Sequence, residues 1–362
     1  MFLSVAVPTP FSVKNVQEFR HSKQDCENML FLGAGASKPF GIPTMKGFTD
    51  EIPKALKDDE AKEVYDILGR LRGFGFPDAD IESVMDVLTA REDLNRARRS
   101  IGPRLIEFVD NVPNKTYNIK ANVLLASIKE QIEARCSKAV FQQSDSYYER
   151  FFKEAPSGVR LGGGVPAIYQ QVFTTNYDLC IDRFLRSRGY GDGFEEKPGY
   201  GRVFTATWPD SRDAKYALCK LHGSVNWFEV GGLVTQHTFA PGQSFMGENV
   251  TGRMMVYPAS EKYALTTPYA ECLFYFRQSF MSDTWHEPIV VIGYSFRDPA
   301  VNSAFTDAIK ANPNIKIFSL RPRASANQYE LDEPLRSKVV PVDAEFGTDY
   351  AIEALRRVVH GQ

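Results

Sequence analysis

The run Met29-Leu30-Phe31-Leu32-Gly33-Ala34-Gly35-Ala36-Ser37 sets the architecture to expect. Four apolar residues with no polar interruption predict a strand covered on both faces, as in a parallel sheet. The glycines that end it predict a turn in which the backbone can come close to a pyrophosphate. Gly41-Ile42-Pro43-Thr44 follows, with a helix expected from about Thr44 to Lys57. The N-terminus of that helix would add amide donors and the positive end of a dipole. The spacing is an incomplete GxGxxG, because Ala36-Ser37-Lys38 follows the second glycine; with no Gly-Lys-Ser/Thr at its end it is not a P-loop. Alone, the motif is equally a plain tight turn.

Three more corners of the same kind lie downstream. Gln171 to Thr175 reads as a strand ending in Thr174-Thr175-Asn176-Tyr177-Asp178, with a helix after it. Tyr216 to Leu221 reads as a strand ending in His222-Gly223-Ser224. Pro288 to Ile292 is a buried strand ending in Gly293-Tyr294-Ser295-Phe296, and Asp298-Pro299 then supplies an N-cap and a first-turn proline. Ile315–Leu320 and Val339–Val342 are further strands, and 348–359 is a closing helix. The alternation of strand, loop and helix predicts an α/β fold, a Rossmann-like doubly wound parallel sheet with a helical insertion. In such sheets ligands bind outside the carboxyl ends of the strands, so the four corners converge on one crevice, which argues for a nucleotide site. Asn176 and Asp178 would hold a ribose or position a water, or else cap the next helix. His222 titrates near neutral pH and is a candidate base. Gly293 and Ser295 would touch a ribose or phosphate, while Asp298 reads as a cap.

The rest of the chain frames this core. Residues 59–159 are expected to form a helical insertion, with Ile81, Val84, Met85 and Leu88 on one face, then Leu105, Phe108 and Val109, then Val123, Leu124, Ile128 and Ile132. The core is expected at 28–58 and 160–345, with a C-terminal helix in 346–362. The stretch from Gly189 to Pro209, rich in glycine, proline and aromatics, reads as a loop, and 226–252 as a hairpin-rich excursion. The N-terminal segment 1–27 begins with the apolar stretch MFLSVAVPTPFSV, which has no basic leader and is interrupted by prolines, and this suits an edge strand or an oligomer contact better than a signal peptide. A formal net charge of -2 leaves no global basic field for nucleic acid or an anionic membrane. The cysteines Cys26, Cys136, Cys180, Cys219 and Cys272 contain no CxxC pair, so neither a four-thiolate zinc site nor any other metal is expected. Their odd number and scatter fit reduced thiols in the cytoplasm.

Taken in order, Gly33-Ala34-Gly35-Ala36-Ser37 with Gly41-Ile42-Pro43, Thr175-Asn176-Tyr177-Asp178, Leu221-His222-Gly223-Ser224 and Gly293-Tyr294-Ser295 resemble the sirtuin NAD-binding family over roughly residues 28–320. They look most like its divergent bacterial branch, the sirtuin-like domains of antiphage defence proteins. The resemblance implies NAD as substrate, with Gly33, Ala34, Gly35, Ser37 and Thr44 around the pyrophosphate and Gly293 and Ser295 as late ribose and phosphate contacts. It implies Asn176 and Asp178 near the nicotinamide ribose and His222 as the catalytic histidine. Two departures bear on activity. The paired CxxC zinc module of sirtuin deacylases has no counterpart here, and Gly-Ile-Pro is followed by Thr44-Met45-Lys46 where the deacylases have Asp-Phe-Arg. The expected reaction is therefore hydrolysis of NAD to nicotinamide and ADP-ribose. A deacylase, an ADP-ribosyltransferase or a non-catalytic NAD or ADP-ribose sensor remain alternatives. By the same resemblance, a homo-oligomer and a partner protein, such as a HerA-type ATPase or a short Argonaute, are expected. No direct nucleic-acid or membrane contact is.

Overall fold

The computed structural model describes residues 29–101, 119–138, 141–154, 171–208, 217–237, 244–245, 248–257, 266–280, 288–322 and 331–360. The chain runs through β1 (Met29–Leu32), two 3₁₀ turns at Ala34–Ala36 and Lys38–Phe40, and the helices α1 (Met45–Ala55), α2 (Asp58–Gly73), α3 (Ile81–Ile101), α4 (Ala121–Cys136) and α5 (Phe141–Glu154). β2 (Gln171–Thr174) and α6 (Cys180–Arg186) follow. Next come β3 (Gly193–Lys197), β4 (Gly201–Thr207), β5 (Ala217–Lys220), β6 (Gly223–Val230), β7 (Leu233–Gln236), β8 (Ser244–Phe245) and β9 (Glu248–Met255). The chain closes with α7 (Tyr269–Gln278), β10 (Ile289–Ile292), α8 (Pro299–Ala311), β11 (Ile317–Arg321), α9 (Leu335–Lys338), β12 (Val339–Asp343) and α10 (Asp349–His360).

Six strands form a parallel sheet in the order β12-β11-β10-β1-β2-β5. Numbered along the chain this is the Rossmann order, with the direction of winding reversing between β1 and β10. Side chains alternate across a strand, which explains why β1 is apolar throughout. Leu30 and Leu32 join Val172, Val290 and Ile292 under α5, α6 and α10 on one face. Met29 and Phe31 join Phe173, Ile289 and Val291 under α7 and α8 on the other. Phe31 lies with its ring centroid 5.5 Å from Phe276 and 5.4 Å from Phe305, so both helices close on the same side chain. Each such buried Leu, Ile or Phe contributes about 1.5–3 kcal/mol.

The stretch expected to be a loop from Gly189 to Pro209 is instead the hairpin of β3 and β4. Together with β7, β6, β9 and β8 it builds a second, antiparallel sheet. The glycines that suggested a loop are its corners: Gly193 and Gly201 have φ of 80° and 69°. Phe194, Phe204 and Trp227 pack on one another across this sheet and join the core beneath it.

The helices α1 to α4 share one apolar cluster that also takes in Tyr177, Val225 and Met255. Ile81, Val84, Met85 and Leu88 are buried in it, as are Leu124, Ile128 and Ile132. Val123, expected on the same face, is 47% exposed, because it falls one residue off the i, i+4 stripe of the other three. Leu105, Phe108, Val109 and the N-terminal segment 1–27 lie outside the described residues. α5 packs against the parallel sheet rather than in the α1 to α4 cluster. No helix among the described residues is long and apolar enough to cross a membrane.

Candidate functional site

The crevice forms where the loops after β1 and β10 meet, at the point where the strand order reverses. Gly33 N donates to Ile292 O (2.8 Å), Gly35 N to Gly293 O (2.9 Å) and Gly293 N to Leu320 O (3.0 Å), which carries the parallel ladder past the strand ends. This crossing leaves no room for side chains. A Cβ on Gly33 would lie 2.5 Å from Tyr294 Cα, one on Gly35 2.7 Å from Gly293 Cα, and one on Gly293 2.4 Å from Gly35 Cα. Gly293 also has φ +62°, a conformation L side chains rarely adopt.

The amides of this loop are mostly engaged within it. Ala36 N donates to Gly33 O and Ser37 N to Ala34 O, so the first turn after β1 is 3₁₀ and not the start of an α-helix. The Ala34 N–H, by contrast, donates to none of the described residues. α1 starts only after Thr44, whose Oγ1 accepts from Gly47 N at 3.5 Å.

Asn176, at the end of β2, is 8% exposed and ties this loop down. Its Nδ2 donates to Gly33 O and to Ser37 Oγ, both at 2.9 Å, and its own N–H donates to Thr174 Oγ1. Both amide hydrogens are thereby used, and Oδ1 accepts from none of the described residues. Asp178 does what a cap does: its Oδ1 accepts from Cys180 N at 2.9 Å at the start of α6. Beneath it Lys220 donates to Asp178 O and, at 2.9 Å, to Asp182 Oδ2; this ion pair is almost fully buried. Burial pushes the Asp182 carboxyl up from its ordinary value, partly offset by Lys220.

His222 lies in the turn between β5 and β6. Gly223 makes that turn possible, with φ +78° and a Cβ position 2.1 Å from Met254 O. Val256 N donates to His222 O, and the Tyr177 ring lies nearby, tilted, with ring centroids 6.4 Å apart. The imidazole Nε2 is 2.9 Å from Asp298 Oδ2, and both side chains are about nine-tenths buried or more. The other carboxylate oxygen of Asp298 accepts from Ala300 N and Val301 N, capping α8. So the residue that the sequence presents only as a cap is also the partner of the histidine. An Asp before proline at a helix start is a visible signal; its pairing with a histidine 76 residues away is not.

Ser295 is half-buried in the loop after β10. Its neighbour Phe296 is buried at φ 56°, a strained position for a bulky residue, with its carbonyl held by Asn302 Nδ2 at 2.6 Å. Arg297 then reaches Asp80, the residue before α3, at 2.6 Å and pins the helical cluster to this loop. Burial pushes the phenols of Tyr177 and Tyr294 well above their ordinary value, so both stay neutral. It does the same to the thiols of Cys136, Cys180 and Cys219, which are inert packing residues here. Among the described residues no cluster of three or more His, Cys, Asp or Glu side chains can hold a metal ion.

The fold is that of a Rossmann-like α/β protein, with the strand-end histidine, asparagine and glycines at the carboxyl ends of its parallel strands. The family model of the SIR2-like domain matches residues 170–340. That match runs from β2 to the start of β12 and leaves β1 and its glycine loop outside it. Distant similarity extends to solved Sir2 structures. A histidine mutant of a Sir2 homologue in complex with ADP-ribose is 14% identical, with 92% of this chain and 93% of that one covered and a TM-score of 0.41. Sir2 in complex with an inhibitor, 2'-O-acetyl-ADP-ribose and a deacetylated p53 peptide is 11% identical, with 92% and 93% covered and a TM-score of 0.37. No curated protein matches the chain.

Proposed function

We propose that the chain binds NAD in the crevice at the carboxyl ends of β1, β2, β5 and β10 and hydrolyses it to nicotinamide and ADP-ribose. The observation that carries this reading is the placing, at the ends of the adjacent strands β2 and β5, of Asn176, whose amide hydrogens are tied, and of a buried His222–Asp298 pair. A pure binding site has no chemical need for a histidine held by a carboxylate. Gly33, Gly35 and Gly293 hold the two loops together so that the pyrophosphate lies on backbone, with the Ala34 N–H as donor. Ser37 acts by fixing Asn176, and Thr44 and Ser295 border the same crevice as polar contacts.

In the reaction, nicotinamide leaves as a neutral molecule from a cationic ring, and the ribose passes through an oxocarbenium-like state. Asn176 Oδ1 would orient the ribose or the attacking water, and His222 would accept the proton. Asp178, just before α6, would stabilise positive charge or position Asn176. The division into a core at 28–58 and 160–345, a helical insertion at 59–159 and a C-terminal helix at 346–362 belongs to the same proposal. So does the placing of the chain in the cytoplasm as the NAD-depleting effector of a bacterial antiphage system, for which the order of the motifs is the support. Uncontrolled NAD loss would harm the host, so activity would be gated by a homo-oligomer or by a partner such as a HerA-type ATPase or a short Argonaute.

The test is purified protein with NAD, products followed by chromatography, beside His222→Ala and Asn176→Ala. Turnover is expected to fall on the order of a hundredfold or more in each variant, with the circular dichroism spectrum unchanged. Full turnover in both variants refutes the site. Products that appear only when an acyl-lysine peptide is added assign a deacylase instead.

A further inference from the structure

Asn176 can serve the reaction only if the loop that carries it keeps its place beside the strand that leads to His222. We infer that Lys220 is the positioning residue for that loop: its buried ammonium, held by Asp182, grips the carbonyl of Asp178 and locks residues 176–178 against the end of β5. The effect on catalysis rests on the proposed function; the clamp itself stands without it.

Lys220 is the last residue of β5 and pairs with Thr174, the last residue of β2. Register partners in a parallel sheet point to the same face. Here it is the face covered by α6, where Val172 and Leu218 are buried. One rung of the sheet thus holds the loop at two points: Thr174 Oγ1 accepts from Asn176 N at 3.0 Å, and Lys220 Nζ donates to Asp178 O. Between them the carbonyl of Tyr177 accepts from Val225 N at 3.0 Å and from Ser224 Oγ at 3.2 Å. Tyr177 and Asp178 are therefore both held from the segment 220–225, within which His222 lies. Asp178 precedes Leu179, the N-cap of α6, so its carbonyl lies outside the helix ladder and takes its donor from a side chain.

Stability alone does not call for this pair. The Lys220 and Asp182 side chains are 3% and 5% exposed. Two charges taken out of water lose hydration that their attraction repays only in excellent geometry, and apolar residues of similar volume are often as stable or more so. What an apolar pair lacks is a donor at the tip of a long side chain that can reach a backbone carbonyl. Asp182 stands in the first turn of α6, 2.9 Å from Lys220 Nζ, and so directs the ammonium from a rigid element. The fixed position of the helix is passed in this way to the loop, and through the loop to Asn176.

The test uses the full chain with Lys220→Met and Asp182→Leu together, which removes the clamp and strands no charge. Lys220→Met with Asp182→Asn, isosteric at 182, serves if the first pair does not fold. Urea unfolding shows whether the fold is intact, and hydrogen exchange read by mass spectrometry compares the segment 175–180 with β10 and β11. Exchange in 175–180 is expected to quicken on the order of tenfold, with β10 and β11 unchanged. With NAD, kcat is expected to fall on the order of tenfold to a hundredfold. KM should stay near the original value, because the pyrophosphate lies on the loops after β1 and β10. Exchange in 175–180 that is unchanged, or quickened equally in β10 and β11, overturns the proposal; the second outcome is that of a merely structural pair. So does a released loop with kcat intact. A chain that folds with neither pair of substitutions shows Lys220 to be structural and overturns it too. If the wild-type chain turns over no NAD, the hydrolase reading fails and the exchange alone decides the clamp.

Discussion

Replacing Gly293 by alanine should destabilise the protein by about 2–5 kcal/mol, whereas the same replacement at Gly69 should stabilise it by about 0.5–1 kcal/mol. Gly293 has φ +62°, which costs an L residue about 1–2 kcal/mol. The new Cβ would also sit 2.4 Å from Gly35 Cα and 2.5 Å from Ala36 N, against an ordinary separation of about 3.5–4.0 Å. Backbone on both sides must therefore part by about 1 Å, a forced repacking in the range of 1–3 kcal/mol. Gly69 is inside α2 with nothing within 4 Å of its Cβ position, so alanine there removes only the entropy cost of glycine in a helix. Thermal unfolding of the two variants beside the wild type checks this. A drop of several degrees for Gly293→Ala and a small rise for Gly69→Ala are expected. An unfolding midpoint for Gly293→Ala within a degree of wild type would refute the claim that the loops after β1 and β10 cross at contact distance.

Asp182→Asn should cost about 3–5 kcal/mol by stranding Lys220 in the core, and the double change Lys220→Met with Asp182→Leu should recover most of it in urea melts. The Asp80–Arg297 pair is partly exposed, with Arg297 at 34%, so a double-mutant cycle should find a coupling under about 1 kcal/mol. Burial raises the native thiols of Cys136, Cys180 and Cys219 and the phenols of Tyr148, Tyr177 and Tyr294 above their ordinary values of 9.0 and 10.0. The unfolded chain therefore releases these protons first. The stabilisation is complete below pH 9 and is lost above it, at up to about 1.4 kcal/mol per pH unit for each group. A urea midpoint that stays flat between pH 8.5 and 10.5 would contradict this.

The parallel sheet is legible in the sequence because strands covered on both faces are apolar at every position, as in Met29-Leu30-Phe31-Leu32 and Ile289-Val290-Val291-Ile292. The second sheet is legible only in part: the β6–β7 hairpin falls in the stretch expected to be hairpin-rich, whereas β3 and β4 are half-exposed with glycines at their corners. Gly193-Phe194-Glu195-Glu196-Lys197 carries little more apolar signal than a loop. The site was readable as far as single strand ends go. Asn176 and His222 announce themselves by following buried runs. That Asn176 donates to Ser37 and that His222 meets Asp298 depends on which strand lies beside which, information held in the sheet order and not in any local pattern.

The sheet order also has a temporal consequence. β1 is the first strand of the parallel sheet to leave the ribosome, yet it lies at the centre, with Met29 paired to Gln171 on one side and to Ile289 on the other. At ordinary speeds of synthesis, its four apolar residues wait on the order of ten seconds or more for the second partner. Contacts so distant along the chain make folding slow and leave a sticky strand uncovered meanwhile. Slowing or truncating synthesis before β10 should therefore drive the nascent chain into aggregates unless β1 is shielded during translation.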